Sequence, residues 1–236
     1  MIKCENAHIG HSELLFKIDE LQLQKGQLVT LIGPNGTGKT TFFETLLNEV
    51  SLLSGVINVS GKEITKLNSN ERIKTFSYVG SKFFGVEHLT VYELIALGRA
   101  PFTNFLNRLS KEDHQIVKNI IHQLNLTAIQ HKNTTEISDG ERQITMLGKA
   151  LAQESEIIIL DEPTAFLDYS NKQKVMLLLR ELARGKGILI LLSSHDLELS
   201  LNYSDKIIAI KTKEKSLTEF TPPFEKESVV ELIFNS

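Results

Sequence analysis

Nine residues, GPNGTGKTT at positions 33–41, have the composition of a loop that binds phosphate. Gly36 and Gly38 let the backbone wrap closely, so that its N–H groups can surround phosphate oxygens. Lys39 can reach the β- and γ-phosphates as a compact charge, and the Thr40 hydroxyl can ligate Mg²⁺. The other loop members predicted to contact the nucleotide are Gly33, Pro34, Asn35, Thr37 and Thr41. The stretch therefore predicts a site for ATP and Mg²⁺.

Two carboxylates follow an apolar run in IIILDEPT, residues 157–164. A carboxylate at the carboxyl end of a buried strand lies at the crevice where open α/β sheets bind ligands. We therefore predict that Asp161 holds Mg²⁺, directly or through water. Glu162 is predicted to orient or deprotonate the water that attacks the γ-phosphate. A solvated acidic turn is the alternative, and the phosphate loop makes it the weaker one.

A histidine ends another apolar run in LLSSHDLE, residues 191–198. Taken alone, His195 would be a surface residue at the end of a strand. Because the acidic pair is expected on the same edge of the sheet, the imidazole could donate a hydrogen bond to the γ-phosphate. The predicted catalytic residues are thus Lys39, Glu162 and His195.

The elements that must position these residues follow from the hydrophobic pattern. Continuously apolar runs are typical of parallel strands covered by helices on both faces. A helix is expected after the loop, with its apolar face extending to Leu53, and a short terminal helix from about Glu225. The runs predicted to be strands are 27–33, 75–80, 156–160, 187–194 and 206–210.

Residues 81–136 contain no strand-like run. Capping boxes at Thr90 and Ser110 predict helix starts there, and a third at Ser138 predicts a helix through about Ala152. The stretch is interpreted as an all-helical insertion. We predict one α/β domain over residues 1–236, with its core at 1–80 and 137–236 and the helical subdomain at 81–136.

Net charge, cysteine content and hydropathy argue against several classes of protein. The chain has 236 residues and a net charge of −3, so no overall basic field attracts nucleic acid, and no nucleic-acid partner is expected. Cys4 is the single cysteine, which excludes an internal disulfide. No apolar run approaches the ~20 residues of a membrane span. A soluble protein is predicted, held at a membrane only through partners.

Five elements together resemble an ABC-type ATPase, in that family's order: the phosphate loop, ISDGERQ (137–143), IIILDEP, AFLD (165–168) and LLSSHD. The resemblance implies a P-loop NTPase core with the helical insertion. It also implies that two subunits pair head to tail and trap two ATP molecules. Ser138 and the Gly140 backbone would then contact the γ-phosphate of the other subunit's ATP, and Asp168 would lie near the dimer interface.

Residues 86–126 resemble the helical region of the branch that powers uptake of iron–siderophore complexes, haem and cobalamin. That likeness implies a membrane-spanning permease and, indirectly, an extracytoplasmic binding protein as partners. The chain would be peripheral to the cytoplasmic face of the cell (inner) membrane.

Three positions depart from the family pattern. Ser81 stands where a glutamine usually reaches Mg²⁺, and it is the third predicted magnesium residue, with a shorter reach than glutamine. Asp139 replaces a signature glycine, so its carboxylate is expected to point away from phosphate or to bond a backbone N–H. His11 is the best candidate to stack on adenine, but an ordinary loop role is equally favoured. The alternatives to an importer ATPase are a nucleotide-gated regulatory protein with weak hydrolysis, an exporter ATPase and a soluble ABC ATPase of nucleic-acid repair or translation.

Overall fold

The computed structural model describes residues 1–81, 83, 85–103, 108–165, 167–225 and 229. Within these residues ten strands form one sheet, and they are β1 (Ile2–Gly10), β2 (Leu14–Leu23), β3 (Leu28–Ile32), β4 (Ser54–Val59), β5 (Lys62–Glu63), β6 (Phe76–Val79), β7 (Ile157–Leu160), β8 (Leu189–Ser194), β9 (Lys206–Lys211) and β10 (Ser216–Phe220). The helices are α1 (Lys39–Leu46), α2 (Ser69–Thr75), α3 (Val91–Ala96), α4 (Lys111–Gln123), α5 (Asp139–Ala152), α6 (Tyr169–Lys186) and α7 (Leu197–Tyr203), with 3₁₀ turns at Ile64–Lys66, Leu97–Phe102 and Thr127–Ile129. No helix in the described ranges has the length and apolar character needed to cross a bilayer.

Half of the sheet is parallel and carries the predicted site. The strand order is β5-β4-β1-β2-β10-β9-β3-β8-β7-β6, and all pairs from β9 to β6 are parallel. These five strands are the five runs predicted from the sequence, which confirms the α/β fold class. Because the strands are parallel, the segments that follow β3, β7 and β8 leave the sheet at the same edge.

The other half of the sheet is antiparallel and was not predicted. β1 pairs with β2 and β4, and β10 joins the halves through an antiparallel pairing with β9 and one parallel pair to β2. The helix expected to reach Leu53 was also predicted too long, since α1 ends at Leu46. Asn48 adopts a left-handed conformation with φ +58°, which ends the helix before β4 begins.

The described part of 81–136 holds α3 and α4 and no strand, apart from an isolated bridge between Thr90 and Asn133. The predicted capping boxes at Thr90, Ser110 and Ser138 are all formed. The subdomain boundaries stay a prediction, and the terminal helix expected from Glu225 falls largely outside the described residues.

A buried arginine ties the helices of this region to α5. Arg99 Nε donates to Asp113 Oδ1 at 2.8 Å, and its Nη1 donates to the Ala152 carbonyl at 2.8 Å. The carboxylate of Asp113 is buried, and hydrogen bonds from Ser110, with the nearby guanidinium, hold its pKa below the usual value against the effect of burial.

We expect Arg99→Ala to lower the free energy of unfolding by about 3–5 kcal/mol, because it leaves the Asp113 carboxylate buried without its cation. Urea denaturation measures the loss. Arg184→Ala is the matched control, since Arg184 pairs with Asp205 from a largely exposed position and should cost less than about 1 kcal/mol. Equal losses in the two variants would contradict the assignment.

Candidate functional site

The phosphate loop connects β3 to α1, as the sequence predicts. Gly36 and Gly38 have φ angles of +80° and +103°, a conformation that glycine adopts without strain. A Cβ at Gly38 would also lie 3.0 Å from Leu15 Cδ1. Glycine is therefore needed at position 38 for both conformation and space. α1 begins at Lys39, the next residue, so that its N-terminus opens on the loop.

The Lys39 ammonium lies folded back over its own loop. Its Nζ donates to the carbonyl oxygens of Gly33 at 2.7 Å and Pro34 at 3.1 Å, and it lies 4.0 Å from Glu162 Oε1. Burial lowers the pKa of this amine, while the charges of Glu162 and Asp161 act in the opposite direction. A cation is thus held at the loop, where a phosphate could replace the carbonyl oxygens as its partner.

Thr40 and Asp161 are in direct contact. The Thr40 hydroxyl donates to Asp161 Oδ2 at 2.9 Å, and the Asp161 side chain is buried just after β7. The structure therefore brings together two of the three residues predicted to bind magnesium, Thr40 and Asp161.

The backbone of Glu162 is held by Ser193, a residue for which the sequence predicted no role. Glu162 has φ +48°, and its N–H donates to Ser193 Oγ at 2.8 Å. The same hydroxyl donates to Asp161 Oδ1 at 2.6 Å. Ser193 lies on β8, one residue before the strand ends and two residues before His195. That spacing was the signal available in the sequence.

His195 follows β8 and lies beside the acidic pair. Its Nδ1 is 3.7 Å from Glu162 Oε2, and its side chain is 59% exposed. The imidazole, the Glu162 carboxylate and the Lys39 ammonium thus meet at one edge of the sheet.

Part of the phosphate loop and the acidic pair border a cavity of about 360 Å³, a size typical of small-molecule sites. His195 lies beside Glu162 and is not on the wall of this cavity. Ser81 lies on its wall, but His11 does not; Leu15, at the start of β2, takes the position nearest the loop. His11 lies in the exposed bend between β1 and β2, and its role in stacking on adenine stays a prediction. The lining residues are Leu15, Asn35, Gly36, Gly38, Lys39, Thr40, Thr41, Ser81, Asp161 and Glu162.

Comparison with known proteins identifies the family. The model of the ABC transporter family matches residues 16–165, which is more than half of the chain. The chain belongs to this family. It therefore binds ATP and is an ATPase, the activity characteristic of ABC transporter proteins.

Relatives of this ABC protein match along most of its length. An ABC transporter ATP-binding protein of Methanocaldococcus jannaschii is 36% identical over 212 residues, covering 89% of this chain and 73% of the relative. The iron(3+)-hydroxamate import ATP-binding protein of Bacillus subtilis is 31% identical over 211 residues, covering 89% and 78%. Among solved structures, a dimeric bacterial ABC transporter cassette matches with a TM-score of 0.78 at 22% identity, covering 95% of this chain and 100% of that one. This likeness confirms the predicted ABC-type core.

The signature segment of this ABC protein lies apart from the phosphate loop. Ser138 caps α5 by accepting the Glu141 N–H at 3.3 Å, and Ser138 and Gly140 border a second cavity of about 530 Å³. The Asp139 carboxylate is 67% exposed and lies 2.6 Å from Arg142 Nη1. Of the two alternatives expected for Asp139, the bond to a backbone N–H gives way to this ion pair, and two backbone carbonyls hold the Arg142 guanidinium within reach.

Asp168 also lies away from the phosphate loop in the single chain. It caps α6, where its Oδ1 accepts the Asn171 N–H at 2.8 Å, and it is exposed. Within one chain, therefore, part of the phosphate loop, the acidic pair and Ser81 line the cavity, and His195 lies next to it beside Glu162. Ser138, Gly140 and Asp168 are not among the residues that line it.

Proposed function

We propose that the chain is the ATP-hydrolysing subunit of an importer for iron–siderophore, haem or cobalamin-type ligands. One observation carries the catalytic part of this proposal: the Glu162 carboxylate, on the wall of the phosphate-loop cavity, lies 4.0 Å from the Lys39 ammonium and 3.7 Å from the His195 imidazole. The relative that imports iron(3+)-hydroxamate supports the class of transported ligand.

Each residue has a role set by its position. Hydrolysis requires water to attack the γ-phosphorus while the bond to the bridging β–γ oxygen breaks. The Glu162 carboxylate orients this water or accepts its proton. Lys39 exchanges the carbonyl oxygens of Gly33 and Pro34 for phosphate oxygens, and His195 donates to the γ-phosphate, so that both stabilise the developing charge.

A magnesium ion fits the residues at the cavity. The Thr40 hydroxyl and the Asp161 carboxylate are hard oxygen ligands, and they contact each other on the cavity wall. In the described part of the chain no group of three or more His, Cys, Asp or Glu could hold a metal. The ion would therefore need phosphate or water oxygens as its other ligands, and it would supply charge neutralisation there. Ser81 lines the same cavity, and its side chain has a shorter reach than that of glutamine.

The active form is proposed to be a head-to-tail homodimer. Ser138, Gly140 and Asp168 lie outside the cavity of their own chain, so a second copy is needed to bring a signature segment to the phosphates. The dimeric cassette among the related structures supports this arrangement.

The remaining partners are membrane components. We propose that the dimer docks on a membrane-spanning permease at the cytoplasmic face of the cell membrane as a peripheral subunit. An extracytoplasmic binding protein would deliver the ligand to that permease. Both partners are inferred from the resemblance and from the import function of the Bacillus subtilis relative.

Turnover of ATP with Mg²⁺ tests the proposal when the initial rate is measured against protein concentration. A composite site predicts a rate that rises faster than linearly, and Ser81→Gln should raise it further if serine weakens the site. ATP binding without turnover in both proteins, also after reconstitution with the permease, would favour the regulatory alternative and contradict the proposal.

A further inference from the structure

The Ser193 hydroxyl makes two hydrogen bonds whose directions are determined by the partners. The Glu162 N–H can only donate, so Ser193 Oγ is the acceptor at 2.8 Å. An ionised carboxylate can only accept, so the serine proton points at Asp161 Oδ1 across 2.6 Å. A single buried hydroxyl on β8 therefore connects the backbone of one acidic residue with the side chain of the other.

The Glu162 backbone needs such an anchor. Its φ of +48° is a left-handed conformation that costs a residue with a Cβ about 1–3 kcal/mol, and it persists only where the surroundings hold it. The preceding N–H, of Asp161, is held by the Val79 carbonyl of β6 at 2.9 Å. At Glu162 the chain turns away from the sheet. Its N–H donates to the Ser193 side chain of β8 and not to a backbone carbonyl of a strand.

Asp161 is also held from two sides. Thr40 donates to its Oδ2 and Ser193 donates to its Oδ1, so the plane of the carboxylate is fixed between the phosphate loop and β8. Rotation of this carboxylate would break one of the two bonds.

We infer that Ser193 is a positioning residue for ATP hydrolysis, which aims Glu162 through its backbone and orients Asp161 toward Thr40. The expected effect on kcat rests on the proposed function. The restraint of the Glu162 amide by Ser193 does not depend on whether the protein hydrolyses ATP.

The test compares Ser193→Ala with Ser77→Ala. Ser77 is the matched control because it is a buried serine on β6 whose hydroxyl bonds Ser155 at 2.9 Å. In Ser193→Ala we expect kcat to fall about tenfold to a hundredfold, the effect of removing a hydrogen bond to a charged group, with KM for ATP changed much less. Ser193→Thr keeps the hydroxyl and should recover most of the rate.

Hydrogen exchange of the Glu162 amide in the nucleotide-free protein supplies a second readout. Exchange should be faster in Ser193→Ala and unchanged in Ser77→Ala. An unchanged amide, or a kcat within about threefold of the Ser77→Ala value, would overturn the inference. If the alanine variant does not fold, Ser193→Cys replaces it. A thiol has a similar shape but forms only weak hydrogen bonds, so we expect kcat and amide exchange to change in the same direction. A wild-type protein without turnover would refute the proposed function, and the exchange measurement would still decide the role of Ser193.

Discussion

Glu162→Gln is expected to lower ATP turnover by about 10²- to 10⁴-fold while ATP binding persists. The amide has the shape of the carboxylate but cannot accept a proton from water. Lys39 lies 4.0 Å from the carboxylate and His195 lies 3.7 Å from it, and both remain available to the phosphates in the variant. Steady-state phosphate release and equilibrium ATP binding measure the two effects separately.

The same variant should accumulate as an ATP-bound dimer, because the step that consumes the nucleotide is blocked. Size-exclusion chromatography with ATP and Mg²⁺ detects it. Glu181→Gln on the exposed side of α6 is the control with the same change of charge. Turnover lowered equally in both variants, or retained in Glu162→Gln, would contradict the role of Glu162.

Lys39→Ala should weaken ATP binding by about tenfold to a hundredfold, the contribution of hydrogen bonds between a cation and phosphate. The ammonium is buried and bonded to the carbonyls of Gly33 and Pro34, so it is already placed at the loop before nucleotide arrives. Removing it leaves two carbonyl dipoles facing the phosphates without a compensating positive charge.

Isothermal titration of each variant with ATP measures this loss. Lys118→Ala, on the exposed face of α4, removes a charge of the same type and should leave the affinity unchanged. Lys39→Arg should restore little, since a planar guanidinium does not match the space of a compact ammonium. An affinity within about twofold of wild type in Lys39→Ala would exclude a phosphate contact.

The parallel half of the fold could be predicted because the hydrophobic pattern of each strand is visible in its own sequence. β3, β7 and β8 are buried at every position and mostly apolar, and helix starts such as Ser110 have their capping partners three residues away. β1 was missed because its exposed polar residues are spread between buried ones. Its hydrogen-bond partners are other strands, which a local pattern does not reveal.

The candidate site also has a part that could be predicted from local sequence and a part that could not. The phosphate loop is a local motif, so its conformation follows from the glycines and the flanking elements. Ser193 acts on residues about thirty positions away, and its contact with Asp161 requires β7 and β8 to be neighbours in register. The presence of Leu15 in the cavity and the pairing of Asp139 with Arg142 likewise depend on three-dimensional proximity or on side-chain direction.

The strand pairing also sets which changes of length the protein can accept. In the parallel half Leu31 lies opposite Ser193, and Leu160 lies opposite Leu192. One residue inserted inside β8 before Ser193 would turn the Ser193 side chain to the opposite face of the sheet, away from the acidic pair. Insertions in the surface turns after β9 would leave this alignment intact. Natural variation in chain length is therefore expected in turns of that kind and excluded from a six-residue strand.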